Sequence, residues 1–183
     1  MKVELQKQLF EKYPKIFRQK DLSMKETCMC WGFECGDGWY NILDCLCAGI
    51  QNYIDNHNEK AEEALKYQAM HKSNSGKIPE WFVIHHLTET GDLVGVDVSI
   101  MPQVEAAQVK EKFGTLRFYT QGHYDAVIGA LVAFAERMTE CTCEQCGNPG
   151  DYQTGGWCRV ICEPCDQKRQ EEYEKHKNGL RNA

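Results

Sequence analysis

At 183 residues the chain is long enough for one domain, or one domain with a small satellite, and it can bury a core without needing a covalent staple. A net charge of -6 and a pI of about 5.5 count against broad duplex DNA binding, which depends on a large basic footprint. The opening MKVELQKQLFEKYPKIF lacks the apolar core and cleavage site of a signal peptide, and no run approaches a membrane span of roughly 18 apolar residues.

The expectation is therefore a cytoplasmic chain with reduced or metal-bound cysteines. There are 11 of them, an odd number that cannot pair completely into internal disulfides.

Leu5, Leu9 and Tyr13 fall at helical spacing in the first segment, and Pro14 ends it. Residues 14–38 read as irregular, closing on the turn Gly36-Asp37-Gly38. From Trp39 onward Leu43, Leu46, Cys47, Ile50, Tyr53 and Ile54 form one apolar stripe, which predicts a helix with Asp37 as its N-cap. Residues 56–77 are polar and resemble an insertion, a solvated helix followed by a loop at Ser73–Gly76. EWFVIHHL and LVGVDVSI read as two strands of a hairpin turning at Gly91 and Asp92, with His85 and His86 on opposite faces of the first. Neither histidine has companion spacing for a metal.

Residues 103–113 fit either a helix stopped by Gly114 or a strand paired with LRFYT, and the β-proneness of TLRFYT favours the hairpin. DAVIGALVAFAERM predicts an amphipathic helix presenting Val127, Ile128, Leu131, Phe134, Ala135 and Met138 on one side. After Cys165 a charged helix with almost no apolar face runs to Gly179.

The strongest chemical signal is CTCEQCGNPGDYQTGGWCRVICEPC. Cys143-x-x-Cys146 and Cys162-x-x-Cys165 are two knuckles separated by fifteen residues, the spacing of a zinc ribbon. Each C-x-x-C turn sets two thiolates at neighbouring corners of a tetrahedron, so the pair closes a structural Zn2+ site with no open position for water or substrate. Cys141 and Cys158 are left over. Paired knuckles also resemble those of HNH nucleases, but residues 147–161 contain no histidine and His123 and His176 fall outside that pattern, so the nuclease reading is rejected. A second thiol cluster of Cys28, Cys30 and Cys35, near Cys45 and Cys47, fits no common zinc template. Its readings are small apolar thiols packed beneath Trp31 and Trp39, a second metal site, or thiol-redox chemistry, the last dulled by Glu26, Glu34 and Asp37.

The expected architecture is α+β: a small antiparallel sheet packed with amphipathic helices over residues 1–139, a zinc ribbon over 140–165 and a charged helical tail over 166–183. TCMCWGFECGDGW, QVKEKFGTLRFYT, the amphipathic helix and the ribbon together resemble a family of small accessory proteins encoded by tailed bacteriophages. That resemblance implies a product acting in the cytoplasm of an infected bacterium, on host machinery or host defence.

Three functional classes compete. A non-catalytic binding protein would use Lys110, Lys112 and Arg117 beside Tyr119 to hold a small phosphorylated ligand or a host protein, with self-association left open. A nucleic-acid-binding ribbon would use Arg159, Lys168 and Arg169, against the acidity of Glu144, Asp151, Glu163 and Asp166. A thiol-redox protein is the one catalytic option, since no nucleophile–base pair or phosphate-cradling loop is present. Binding without catalysis is the preferred expectation.

Overall fold

The computed structural model describes residues 1–181 and is α+β, with helices around a three-stranded mixed sheet and a separate two-stranded ribbon. Helix α1 (Val3–Lys12) stops before Pro14 and buries Leu9. Helix α2 (Tyr40–Lys72) is one long element that carries both the apolar stripe and the polar stretch. Single 3-10 turns occupy Met29–Trp31 and Asp37–Trp39, and between them Phe33–Glu34 forms a short strand β1.

Strand β2 (Val104–Lys112) pairs antiparallel with β3 (Thr115–Gly122), so the hairpin alternative holds for residues 103–113. The two central turn residues, Phe113 (φ 54°) and Gly114 (φ 81°), are both left-handed, the twist that a two-residue hairpin loop needs. The expected all-antiparallel sheet is corrected to a mixed one: β1 lies parallel to β2, with Phe33 opposite Val109 and Glu34 opposite Lys110.

Contacts divide the chain into two compact units, Met1–Ile50 with Val104 onward, and Gln51–Gln103. The core of the first contains Phe17, Met29, Trp39, Leu43, Val109 and Leu116, all fully buried. Phe10, Phe17 and Phe33 pack edge-on or tilted against one another with ring centres 5.1 to 5.4 Å apart. Helix α4 (Ala126–Met138) begins where Asp125 accepts a hydrogen bond from Ile128 N. It buries Ile128, Val132 and Ala135, while Val127, Phe134 and Met138 are exposed. The expected face is therefore rotated: a helix apolar on most sides does not declare which line of side chains meets the sheet.

In the second unit EWFVIHH forms helix α3 (Glu80–His86), which corrects the expected strand. Phe82 packs edge-on against Tyr67 at 4.8 Å, and that contact overrides the β-proneness of the segment. Of the predicted hairpin there remains one antiparallel bridge, Leu87 with Leu93, across a turn in which Thr88 N donates to Asp92 O. The residues after Leu93 are irregular up to β2. Among the described residues no helix is long and apolar enough to cross a membrane.

Candidate metal centre

The ribbon is built from two short antiparallel strands, β4 (Asp151–Gln153) and β5 (Arg159–Ile161), which bring the knuckles face to face. The first knuckle is a tight turn: Gly147 N donates to Cys143 O at 2.9 Å, and Cys143 N donates to Asn148 O at 2.7 Å. Gly147 sits at φ 79°, a conformation side chains resist. Glu144 N donates to Val160 O at 3.1 Å, tying this knuckle to β5. In the second, Cys162 directly precedes helix α5 (Glu163–Arg181) and Cys165 lies in its first turn, where Pro164 is harmless. Helix α5 continues past Gly179, the expected stop.

The sulfurs of Cys143, Cys146, Cys162 and Cys165 all lie within 4.8 Å of one another. A tetrahedral ion with metal–sulfur bonds near 2.3 Å needs sulfur–sulfur edges of about 3.8 Å, so the cage can hold a metal ion with small adjustments. Among the described residues this is the one such group of His, Cys, Asp or Glu. All eleven cysteines are free of disulfides.

Crowding the four thiols has an electrostatic cost. Burial alone would raise the Cys143 thiol, but the N–H groups of Cys162, Cys146 and Gln145 outweigh it and bring the pKa down to about 7. Cys165 goes the other way, pushed up to about 12 by burial and then by the neighbouring sulfurs. For Cys146 the Asn148 N–H favours the thiolate, yet burial and the Cys162 sulfur prevail and raise it too. Without a cation Cys146 and Cys165 resist ionisation where Cys143 favours it; a bound divalent ion reverses that logic. A groove of about 640 Å³ beside the cage is lined by Cys146 and Cys165 together with Lys2, Arg159, Lys168 and Arg169. Asp37, Glu144 and Glu172 line the same groove, and two of its four cations are spent on carboxylates, Lys2 on Asp37 at 3.0 Å and Arg169 on Asp166 at 2.7 Å.

The first cysteine-rich stretch turns out to be the ribbon's seat. Gly38 N donates to Glu144 O at 2.8 Å, Gly36 N to the Glu144 carboxyl at 2.9 Å, and the buried Trp39 Nε1 to Thr142 O at 3.0 Å. A Cβ on Gly38 would lie 2.2 Å from Cys143 O and 2.4 Å from Gly147 N, and one on Gly36 2.2 Å from Glu144 O. Burial raises the Glu144 carboxyl above its usual range, partly offset by the Gly36 N–H. Asp37 does not cap α2; its carboxylate instead accepts from Lys2 N at 2.7 Å. The ribbon also meets the hairpin tip, where Tyr152 donates to Phe113 O at 3.1 Å and a Cβ on Gly114 would approach Arg159 N to 2.9 Å.

Cys28, Cys30 and Cys35 are not gathered into a second metal-holding group, which corrects that alternative. Cys35 and Cys47 are buried; burial pushes Cys35 up to about 12 and Cys47 higher still. Trp39 is fully buried, whereas Trp31 is largely exposed. Lys110, Lys112, Arg117 and Tyr119 do share one face of the hairpin, with Lys110 opposite Arg117 and Lys110 Nζ 5.8 Å from the Tyr119 ring. Arg117 is occupied locally, donating to Thr115 Oγ1 at 2.8 Å and Leu116 O at 2.6 Å. Reading the sequence for thiols missed Gly36, Gly38, Trp39 and Glu144 as parts of the centre. The glycine-x-glycine spacing before a tryptophan was the available signal. No protein-family model, curated protein or solved structure matches this chain.

Proposed function

We propose that this chain is a non-catalytic binding protein braced by zinc. The carrying observation is the cage itself: four sulfurs within 4.8 Å of one another, the number that closes a tetrahedron around an ion with no open position. An all-thiolate tetrahedron suits Zn2+, a borderline-soft ion with no redox chemistry of its own. Recognition then falls to the exposed hairpin surface. Phe113 is 67 % exposed in a left-handed conformation that costs a bulky residue of order 1–3 kcal/mol, and Lys112 Nζ lies 5.5 Å from its ring. Cations over aromatic faces at Lys110–Tyr119 and Lys112–Phe113 support a partner with an anionic group beside a flat one, such as a small phosphorylated ligand, or an acidic host protein.

The resemblance to phage accessory proteins supports a setting in the infected bacterial cytoplasm, with sequestration of a nucleotide signal or of a host protein as counter-defence. The nucleic-acid alternative is weakened because Arg169 is spent on Asp166 at 2.7 Å, and Asp37, Glu144 and Glu172 share the groove with Arg159 and Lys168. Buried, high-pKa Cys35 and Cys47 give the redox alternative no support. Native mass spectrometry of protein purified from bacterial cells tests the reading. One zinc per chain, with a retained phosphorylated mass or host protein lost on Lys110→Glu with Lys112→Glu, supports it. A metal-free chain that is fully folded refutes it.

A further inference from the structure

The unit formed by residues 51–103 encloses a cavity of about 430 Å³ that the metal centre and hairpin do not use. Its volume lies in the range of small-molecule sites, about 300–1,000 Å³. Three segments wall it: α2 with His57, Lys60 and Glu63, α3 with Trp81 and His86, and the irregular stretch after Leu93 with Asp97.

Its hydrogen-bonding groups are unbalanced. His57 Nε2 lies 2.9 Å from Ser99 O, and His86 Nδ1 lies 3.4 Å from Val94 O. A carbonyl only accepts, so each ring donates an N–H there, and its second nitrogen is an acceptor whenever it carries no proton. Glu63 accepts from Tyr67 at 2.7 Å and Asp97 from Ser99 N at 2.9 Å, which leaves both carboxylates with spare lone pairs. Two carboxylates outweigh the single cation, Lys60. Trp81, which lines the cavity, is 56 % exposed, a large aromatic surface left in water. The surroundings have the same sign: residues 51–103 contain eight Asp and Glu against four Lys, so -4 of the chain's -6 resides here.

We propose that this cavity binds an ammonium or guanidinium group, seated against Trp81 and hydrogen-bonded by Asp97, Glu63 and the imidazoles. A positive, donor-rich head satisfies the surplus acceptors, and the indole attracts it through its ring quadrupole. An anion would meet the wrong sign. A metal ion is disfavoured because these side chains do not gather into a metal-holding group. This site does not depend on the hairpin reading.

Calorimetric titration of the full-length, metal-loaded protein at low salt tests the proposal. N-butylguanidinium should bind and its neutral isostere N-butylurea should not. Asp97→Asn with Glu63→Gln should weaken binding about tenfold or more, the scale of lost charged hydrogen bonds, as should Trp81→Ala. Unchanged far-UV circular dichroism would show that these variants still fold. Lys110→Glu with Lys112→Glu should leave the titration unaltered, which separates this site from the hairpin. Spermidine and a tetra-arginine peptide identify the source of the group, the tighter of the two marking a free polyamine or a basic protein segment. Absence of guanidinium binding, equal binding of the urea, or indifference to the cavity variants overturns the proposal.

Discussion

Replacing Gly38 by alanine is the sharpest test of how the ribbon is seated. The new Cβ would lie 2.2 Å from Cys143 O, 2.4 Å from Gly147 N and 2.8 Å from Cys146 N. All three are backbone atoms of the knuckle, so no flexible side chain can move aside. Relief requires the 36–39 turn and the knuckle to separate, which breaks the Gly38 N–Glu144 O bond and strains the Trp39 Nε1–Thr142 O bond. Overpacking costs about 1–3 kcal/mol and the lost bond about 1 kcal/mol, giving a destabilisation of about 2–4 kcal/mol. Urea unfolding followed by tryptophan fluorescence measures it, with metal content read on the same samples by elemental analysis. The control is Gly155→Ala in the same ribbon, where a Cβ meets nothing within 4 Å. The seat is refuted if Gly38→Ala matches Gly155→Ala in both midpoint and metal content.

Further expectations concern the cage, the α1–α2 contact and the hairpin turn. Cys146→Ser should release the metal and cost ~5 kcal/mol or more, since structural zinc sites contribute about 10–16 kcal/mol of apparent binding free energy; hydrogen exchange should show Trp39 and its neighbours losing protection as well as the ribbon. Tyr13, almost fully buried, donates to Asp44 Oδ1 at 2.8 Å, so Tyr13→Phe should lose about 1 kcal/mol in chemical denaturation. Burial alone would raise the Asp44 carboxyl, but Lys12 and Tyr13 outweigh it and hold it below its ordinary 3.8. A depressed folded pKa stabilises above the unfolded value and is lost as pH falls through the folded one, so the stability gap between the protein and Asp44→Asn should close below about pH 4. Phe113→Asn puts a residue tolerant of left-handed backbone at φ 54° and should gain about 1 kcal/mol by thermal melting, while weakening any ligand held at the hairpin tip.

Much of this fold could be read from local pattern, because the signals were backbone chemistry. Pro14 stops α1, Asp125 caps α4, and paired C-x-x-C turns make a ribbon wherever the chain between them can fold back. What could not be read depended on partners distant in sequence. Residues 80–86 are β-prone, yet Phe82 packing on Tyr67 makes them helical. Cys28, Cys30 and Cys35 drew attention as thiols, but Gly36 and Gly38 are the residues that matter, and their role exists only because residues 142–147 press against them. Helix α4 is apolar on more than one side, so only the position of β3 selects Ile128, Val132 and Ala135 for burial.

Two separate parts of the first unit, the 36–39 turn and the β2–β3 tip, lean on the same ribbon, and this couples the metal to the proposed recognition surface. Gly114 has room for no Cβ against Arg159, and the Phe113 carbonyl is held by Tyr152 of β4. The strained Phe113 backbone therefore rests on a strand whose partner, β5, leads directly into Cys162. Withdrawing a bound ion should loosen β5 and its partner β4, and with them the contact that holds the tip in place. Binding at Lys110, Lys112 and Phe113 should accordingly fall in proportion to bound zinc during a chelator titration, with re-addition restoring both. If an apo protein that retains its circular dichroism held its partner with undiminished affinity, the hairpin would be independent of the metal and this coupling would be wrong.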